Sequence, residues 1–152
     1  MMDFDLLTTG DLRIVNGDIV MIEGLDEVRQ RVLFRMRTQL GEWDFDTTLG
    51  LDYFGEILKN DPDLALIQTR ILTLVATTPG VLQVRDLDVS LDAPSRTMRV
   101  AYTFIVDPAF LTDAERANLG LEPLAGPSVS EAVVLDVDSG ELNLLLEPAG
   151  PI

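Results

Sequence analysis

Five carboxylates fall in the stretch LGEWDFDTTLGLDYFGEIL (40–58): Glu42, Asp44, Asp46, Asp52 and Glu56. Paired acids are the minimal equipment for glycoside hydrolysis, which needs two carboxyl groups ~5 to 9.5 Å apart, one of them with a raised pKa. The same acids could in principle hold a hard cation, but their spacing matches no EF-hand loop. Other chemistries fall away at once. The chain has no cysteine and no histidine, which removes disulfides, thiolate nucleophiles, His-based triads and nearly all zinc or haem sites. Against hydrolysis, a chain with 26 acids brings carboxylates together by composition alone, and this stretch lacks the polar and aromatic array of a sugar groove. The expectation is no catalytic residue, no metal ligand and no cofactor.

The same stretch holds the only tryptophan, Trp43, together with Phe45, Tyr53 and Phe54. Trp43 and Phe45 are two apart and share a face if the chain is extended there, so they are expected to plug a gap in the core between two helices. Tyr53 and Phe54 lie between Gly50 and Gly55 and are expected to be exposed anchors of a protein interface.

The flanking elements must position these residues. DLRIVNGDIVMIE (11–23) alternates polar and apolar residues about Asn16-Gly17, the favoured pair for a two-residue hairpin turn. Asp26 reads as the N-cap of a first helix whose apolar stripe is Leu25, Val28, Val32, Leu33, Met36 and Leu40, ending at Gly41. Arg29 falls inside that stripe and is expected to pair with an acid of the 42–46 segment, Glu42 or Asp44, because a stripe position rarely holds an unpaired arginine. Arg31 and Arg35 lie just outside it and Phe34 on the far side; a solvated basic flank is one reading, a partner-facing surface the other. Asp61-Pro62 should open a second helix, with Leu64, Ile67, Ile71, Leu74 and Val75 inward and Pro79-Gly80 ending it near Thr77 or Thr78. Two alternating strands, 81–92 and 96–106, form a hairpin covering the helices. Asp88 and Arg99 mark candidate outward positions on its two strands. Residues 107–128 read as a proline-rich linker with a short helix at 113–118, and 129–152 as a C-terminal β-hairpin extension turning at Ser139-Gly140. The fold class is α+β: an N-terminal β-hairpin and two main helices packed on a small antiparallel sheet, with that extension.

At 152 residues, 47% hydrophobic with a mean hydropathy of +0.22, the chain suits one domain with one ordinary core. No apolar run approaches the ~20 residues of a membrane crossing, so excess apolar surface belongs against other proteins. The first ten residues hold two acids and no base, unlike a signal peptide. A net charge of −15 opposes nucleic-acid binding, which draws its affinity from Lys and Arg on phosphates. Ten of the eleven basic residues are arginine, the better residue for bidentate pairs with carboxylates.

The hairpin GDLRIVNGDIVMIEG, the helix DEVRQRVLFRMRT, then LGEW with FD and LG downstream, and a second helix ending before PGV and a β-hairpin resemble the baseplate wedge or sheath-initiator family of contractile phage tails. That family carries a lysozyme name and has relatives in type VI secretion baseplates. The resemblance spans about residues 3–106, and its motif residues here are Gly41, Glu42, Trp43, Phe45 and Gly50. Leu40 and Trp43 stand where many members have proline and arginine, and Thr78-Pro79-Gly80 where members often have Glu-Pro-Arg. The resemblance implies a virion protein assembled in the host cytoplasm, six copies surrounding the tail tube. It implies contacts with wedge proteins, the tail sheath protein, and tube or hub proteins, and templating of the first sheath ring by strand addition. Residues 1–106 would be that unit. A monomeric protein-binding adaptor of similar fold is the alternative, and a lysozyme-like hydrolase the least supported reading, since a name is not a site.

The purified protein is expected to leave peptidoglycan turbidity at the buffer rate; clearing that is abolished by Glu42→Gln would refute the reading.

Overall fold

The computed structural model describes residues 2–7, 9–119, 126–136 and 142–143. Asn16 (φ 53°) and Gly17 (φ 89°) adopt the left-handed conformation that a two-residue hairpin turn demands, so strands β2 (Ile14–Val15) and β3 (Asp18–Ile19) pair as expected. The sequence reading missed a further strand, β1 (Met2–Phe4), which lies antiparallel to β4 (Met21–Glu23).

Helix α1 spans Leu25–Arg37. Asp26 is not its N-cap; it sits in the first turn, and Gly24, at φ 69°, makes no side-chain cap. The orphan N–H of Leu25 instead donates to Glu115 Oε1 at 3.0 Å, so a carboxylate from a distant helix does the work of a local cap. The helix ends before Gly41: Thr38 is extended, and its N–H and hydroxyl both return to the Phe34 carbonyl. Leu40 accordingly leaves the stripe and is exposed.

Helix α2 is Leu64–Ala76. Its N-cap is Asp63, accepting from Leu66 N–H at 3.1 Å, rather than Asp61. Pro62 therefore precedes the helix instead of opening it. The C-terminus falls at Thr77, ahead of Pro79-Gly80, as the sequence indicates.

Strands β5 (Val81–Asp92) and β6 (Thr97–Val106) form the long hairpin, with register irregularities between Val81 and Gln83 and between Val84 and Asp86. A 3₁₀ turn at Pro108–Phe110 and helix α3 (Asp113–Leu119) occupy part of the expected linker. The next strand, β7 (Ser128–Asp136), joins the same sheet: it pairs with β6 from Ile105↔Ser128 to Thr97↔Asp136. The sheet order is β5-β6-β7-β8, with β8 at Leu142–Asn143. The expected turn at Ser139-Gly140 lies outside the described residues.

Val28, Val32 and Met36 of α1, Ile67, Ile71, Leu74 and Val75 of α2, and Met98, Val100, Tyr102, Phe104 and Val106 of β6 form one buried core, closed by Val129 and Val133 of β7. The fold is α+β, with both helices on one face of an antiparallel sheet.

Glu115 links the start of α1 to α3: Oε2 accepts the Thr112 N–H at 2.8 Å and its hydroxyl at 3.0 Å. Partial burial pushes its pKa up, but the Thr112 and Leu25 N–H groups and the Thr112 hydroxyl pull it further down, to a net value below the ordinary one. A depressed carboxylate stabilises the fold above its unfolded pKa, and that contribution disappears as pH falls through the folded value. Glu115→Gln should therefore lower stability by about 1 kcal/mol at pH 7, with the gap to wild type closing below about pH 4. Denaturant melts at pH 7 and pH 3 test this; a pH-independent gap would contradict it.

Candidate interaction surfaces around the carboxylate loop

The loop that follows α1 is pinned to the helix end by backbone. Leu51 N–H donates to Thr38 O at 3.0 Å and Leu40 N–H to Leu51 O at 2.9 Å. Gly50 makes this crossing possible: it sits at φ 101°, and a Cβ there would lie 2.1 Å from Thr38 O. No other residue fits.

Four of the loop's carboxylates are engaged locally. Glu42 Oε2 accepts Gln39 N–H at 3.1 Å. Asp46 Oδ1 accepts the Thr48 hydroxyl at 2.6 Å and its N–H at 3.0 Å. The Thr48 hydroxyl, then its N–H, hold the Asp46 pKa below the ordinary carboxylate range, opposite to what a general acid requires. Asp52 accepts Gly55 N–H at 2.8 Å and so caps a π-helical turn, Tyr53–Ile57. Glu56 pairs with Arg70 at 3.1 Å. Asp44 is exposed. Among the described residues no group of three or more Asp or Glu side chains is arranged to hold a metal ion.

The aromatics are placed otherwise than expected. Trp43 and Phe45 do not fill a gap between the helices: they are 45% and 90% exposed. Gly41, at φ 82°, turns the chain outward before they can reach the core. Trp43 meets Phe34 edge-on at 6.4 Å and Phe45 at 6.1 Å, so the three rings form a surface cluster. Tyr53 is not an exposed anchor. The π-helical turn swings it under the end of α1, where its hydroxyl donates to Met36 O and its N–H to Gln39 Oε1, and burial pushes its pKa well up. Phe54 is exposed.

The arginines are also redirected. Arg29 does not pair with Glu42 or Asp44. Its Nε donates to Glu131 Oε1 on β7 at 2.6 Å, and Nη1 to Asp26 at 3.3 Å. Arg29 precedes the helix end by eight residues, ~12 Å along the axis at 1.5 Å per residue, so the acids beyond Gly41 are out of its reach. Glu131, 2% exposed, also accepts the Tyr102 hydroxyl at 2.7 Å. Arg31 and Arg35, expected to meet solvent or a partner, instead hold the end of α2. Arg31 pairs with buried Glu27, donates to Pro79 O at 2.9 Å and lies over the Phe110 ring. Arg35 donates to Leu74 O at 3.0 Å and to the Thr78 and Thr77 hydroxyls at 2.8 and 3.2 Å, where the helix dipole favours a cation. On the sheet, Asp88 is exposed on β5, while Arg99 lies on the central strand between Ser90 and Val134.

Sequence reasoning overlooked Glu115, Glu131, Tyr102 and Gln30 as positioning residues. Glu131 did carry a signal: it occupies an inward position between Val129 and Val133 of an alternating strand, and a lone acid among inward apolar residues asks for a partner.

Removing the arginine should expose the cost of a buried carboxylate. Arg29→Ala is expected to destabilise by ~2–4 kcal/mol, and Arg29→Ala on a Glu131→Gln background by ~1 kcal/mol less, whereas Glu42→Gln changes little. Urea melts of the cycle test this; an uncoupled pair would refute it.

The chain matches the family model of the contractile injection system sheath initiator over residues 2–108. No curated protein matches it. The matched region takes in both helices, the carboxylate loop with Gly50 at its crossing, and the β5–β6 hairpin, while α3 and β7 lie beyond it. With well over half of the chain covered and its α+β architecture built from the matched elements, the protein belongs to the sheath-initiator family and is a structural component of contractile injection systems.

Proposed function

We propose that the protein seats in the baseplate around the tail tube, held by wedge proteins, and templates the first ring of tail sheath by accepting a sheath strand on the outer edge of β5. The observation that carries this reading is the strand order: β6 is flanked by β5 and β7, so among the described residues the long hairpin offers one edge that pairs with no other strand, that of β5, where Gln68 holds only the Leu87 carbonyl. Strand addition supplies main-chain hydrogen bonds along such an edge. Residues 1–106 are the docking unit, and the C-terminal extension closes the edge of β6 against competing pairings. Two features protect the edge before assembly. Its irregular register near Val81–Asp86 twists the strand, and exposed Asp86 and Asp88 add charge that discourages self-pairing. Six copies per baseplate, contacts with tube or hub proteins and assembly in the host cytoplasm complete the reading. No bond is cleaved in it; the loop carboxylates serve turns and caps.

Gln68 Nε2 of α2 donates to Leu87 O at 3.1 Å, which puts the backbone groups of Leu87 on the outer side of β5. By strand alternation those of Leu91 share that side, and those of Asp88 face β6. Leu91→Pro, near the strand end, should fold, enter baseplates and yield tubes without sheath. Asp88→Pro and Arg99→Pro each remove a bond between β5 and β6 and should fail to fold. Electron micrographs of particles carrying folded Leu91→Pro decide the matter: normally sheathed tails would place the docking surface elsewhere.

A further inference from the structure

Strand β1 pairs with β4 on one side only, so its other side presents backbone groups outward. Asp5, just past its end, turns inward: its N–H donates to Val20 O at 2.9 Å, and its carbonyl accepts Arg13 N–H at 2.8 Å. By alternation the backbone groups of Phe4 and Leu6 turn outward. Side chains close three of them. Phe4 N–H donates to Asp3 Oδ1 at 2.8 Å. The amide of Gln30, on α1, takes the other two: Nε2 donates to Phe4 O at 2.7 Å, and Oε1 accepts Leu6 N–H at 2.8 Å.

A side-chain amide carries the donor and acceptor of a peptide group. A strand added in parallel here would bring one residue whose N–H bonds Phe4 O and whose carbonyl accepts Leu6 N–H. Gln30 offers those same two bonds from within the chain. An incoming strand would have to exchange hydrogen bonds already made for equivalent ones, while its own ordering costs about 1–2 kcal/mol per residue. Space is not what excludes it. A groove of about 820 Å³ lies between these strands and α1, with Leu6 and Gln30 in its lining.

The edge of β5 carries a lighter cap of the same kind. Gln68 uses one end of its amide there, on Leu87 O at 3.1 Å. Displacing it costs one hydrogen bond. Opening β1 costs the two bonds of Gln30, with the Asp3 bond to Phe4 N–H beside them. The two edges are thus unequal as acceptors of a strand, and the difference lies in side chains rather than in the strands themselves.

We infer that Gln30, with Asp3, is an edge plug that closes β1 to strand addition, so that a partner's strand pairs at β5 and not here. The consequence for β5 rests on the function proposed above; the plug itself does not. Gln30 is in this sense a specificity-determining residue: it touches no partner and removes the competing place where one could pair.

The probe is a fluorescein-labelled peptide of alternating Thr and Val with Lys at each end, titrated into the full chain in about 0.5 M salt, where attraction between charges is screened. Anisotropy reads its capture. The variants are made on a Leu91→Pro background, which obstructs β5 and leaves β1 to be read. There Gln30→Met should raise affinity at least ~tenfold. Adding Phe4→Pro, which obstructs the outward side of β1 and spares its ladder to β4, should return affinity to the starting value. Because Gln30→Met also unties β1 from α1, protection of the Asp5 amide proton, held by Val20 O, is followed in every variant. Where that protection is lost, Gln30→Glu carries the test: its carboxylate still accepts Leu6 N–H but cannot donate to Phe4 O, and affinity should rise about threefold. Affinity unchanged in both Gln30 variants would overturn the plug, as would a gain that survives Phe4→Pro. Capture by the chain with Gln30 in place that Phe4→Pro abolishes would overturn it as well, since the edge would then be open under its cap. Binding to the native chain that Leu91→Pro does not reduce would count against the β5 reading and leave the plug standing.

Discussion

The buried carboxylate of Glu131 ties three elements of the molecule, α1, β6 and β7, together. It is 2% exposed, accepts a hydrogen bond from Arg29 on α1 and another from the Tyr102 hydroxyl on β6, and is itself carried by β7. An ionised carboxylate in such a place is tolerated only with charged and hydrogen-bonding partners on hand. The same burial, together with the neighbouring carboxylate, drives the Tyr102 pKa well up, which keeps the phenol protonated and donating. The orientation of α1 on the sheet is thereby fixed by polar geometry as well as by the less directional packing of Val28, Val32 and Met36.

From that anchored helix the remaining polar contacts spread outward. Arg35 of α1 holds the Leu74 carbonyl of α2 and the Thr78 hydroxyl just beyond it, and Arg31 holds the Pro79 carbonyl of the turn that follows, while Glu115 takes the first free N–H of α1. The Glu115 contact satisfies an N–H at the start of α1 that would otherwise be orphaned, while Arg35 adds to the Thr77 and Thr78 hydroxyls already on Leu74 O. Together they explain how an acidic protein uses its few cations. Arginines at one helix–helix junction act as caps, and the acids are spread over turns, N-termini and surface.

Function follows from what this frame leaves uncovered. β6 is committed to the core and β7 pairs with its second edge, so the features left uncovered include the outer edge of β5 and the Phe34–Trp43–Phe45 rings. An edge provides backbone pairing. No helix among the described residues is long and apolar enough to cross a membrane.

Local chemistry made several features readable from the chain alone. Asn16-Gly17 encodes its hairpin because the positive φ values are a property of those residues, and Pro79-Gly80 stops α2 because proline cannot continue a helix. The 3.6 and 2.0 periodicities located both helices and both long strands, and the motif order identified the family. What the sequence left undetermined was which distant group meets which. The 29th residue's place in an apolar stripe demanded a partner, yet whether that partner came from the adjacent loop or from β7, 102 positions away, depended on the side of α1 against which the sheet packed. Likewise Trp43 and Phe45 share a face in any extended segment, but whether that face points into the core was decided by the turn at Gly41 and the crossing at Gly50. Periodicity and turn chemistry are properties of neighbouring residues, whereas pairing across the fold is a property of the packing that brings distant residues within ~3 Å.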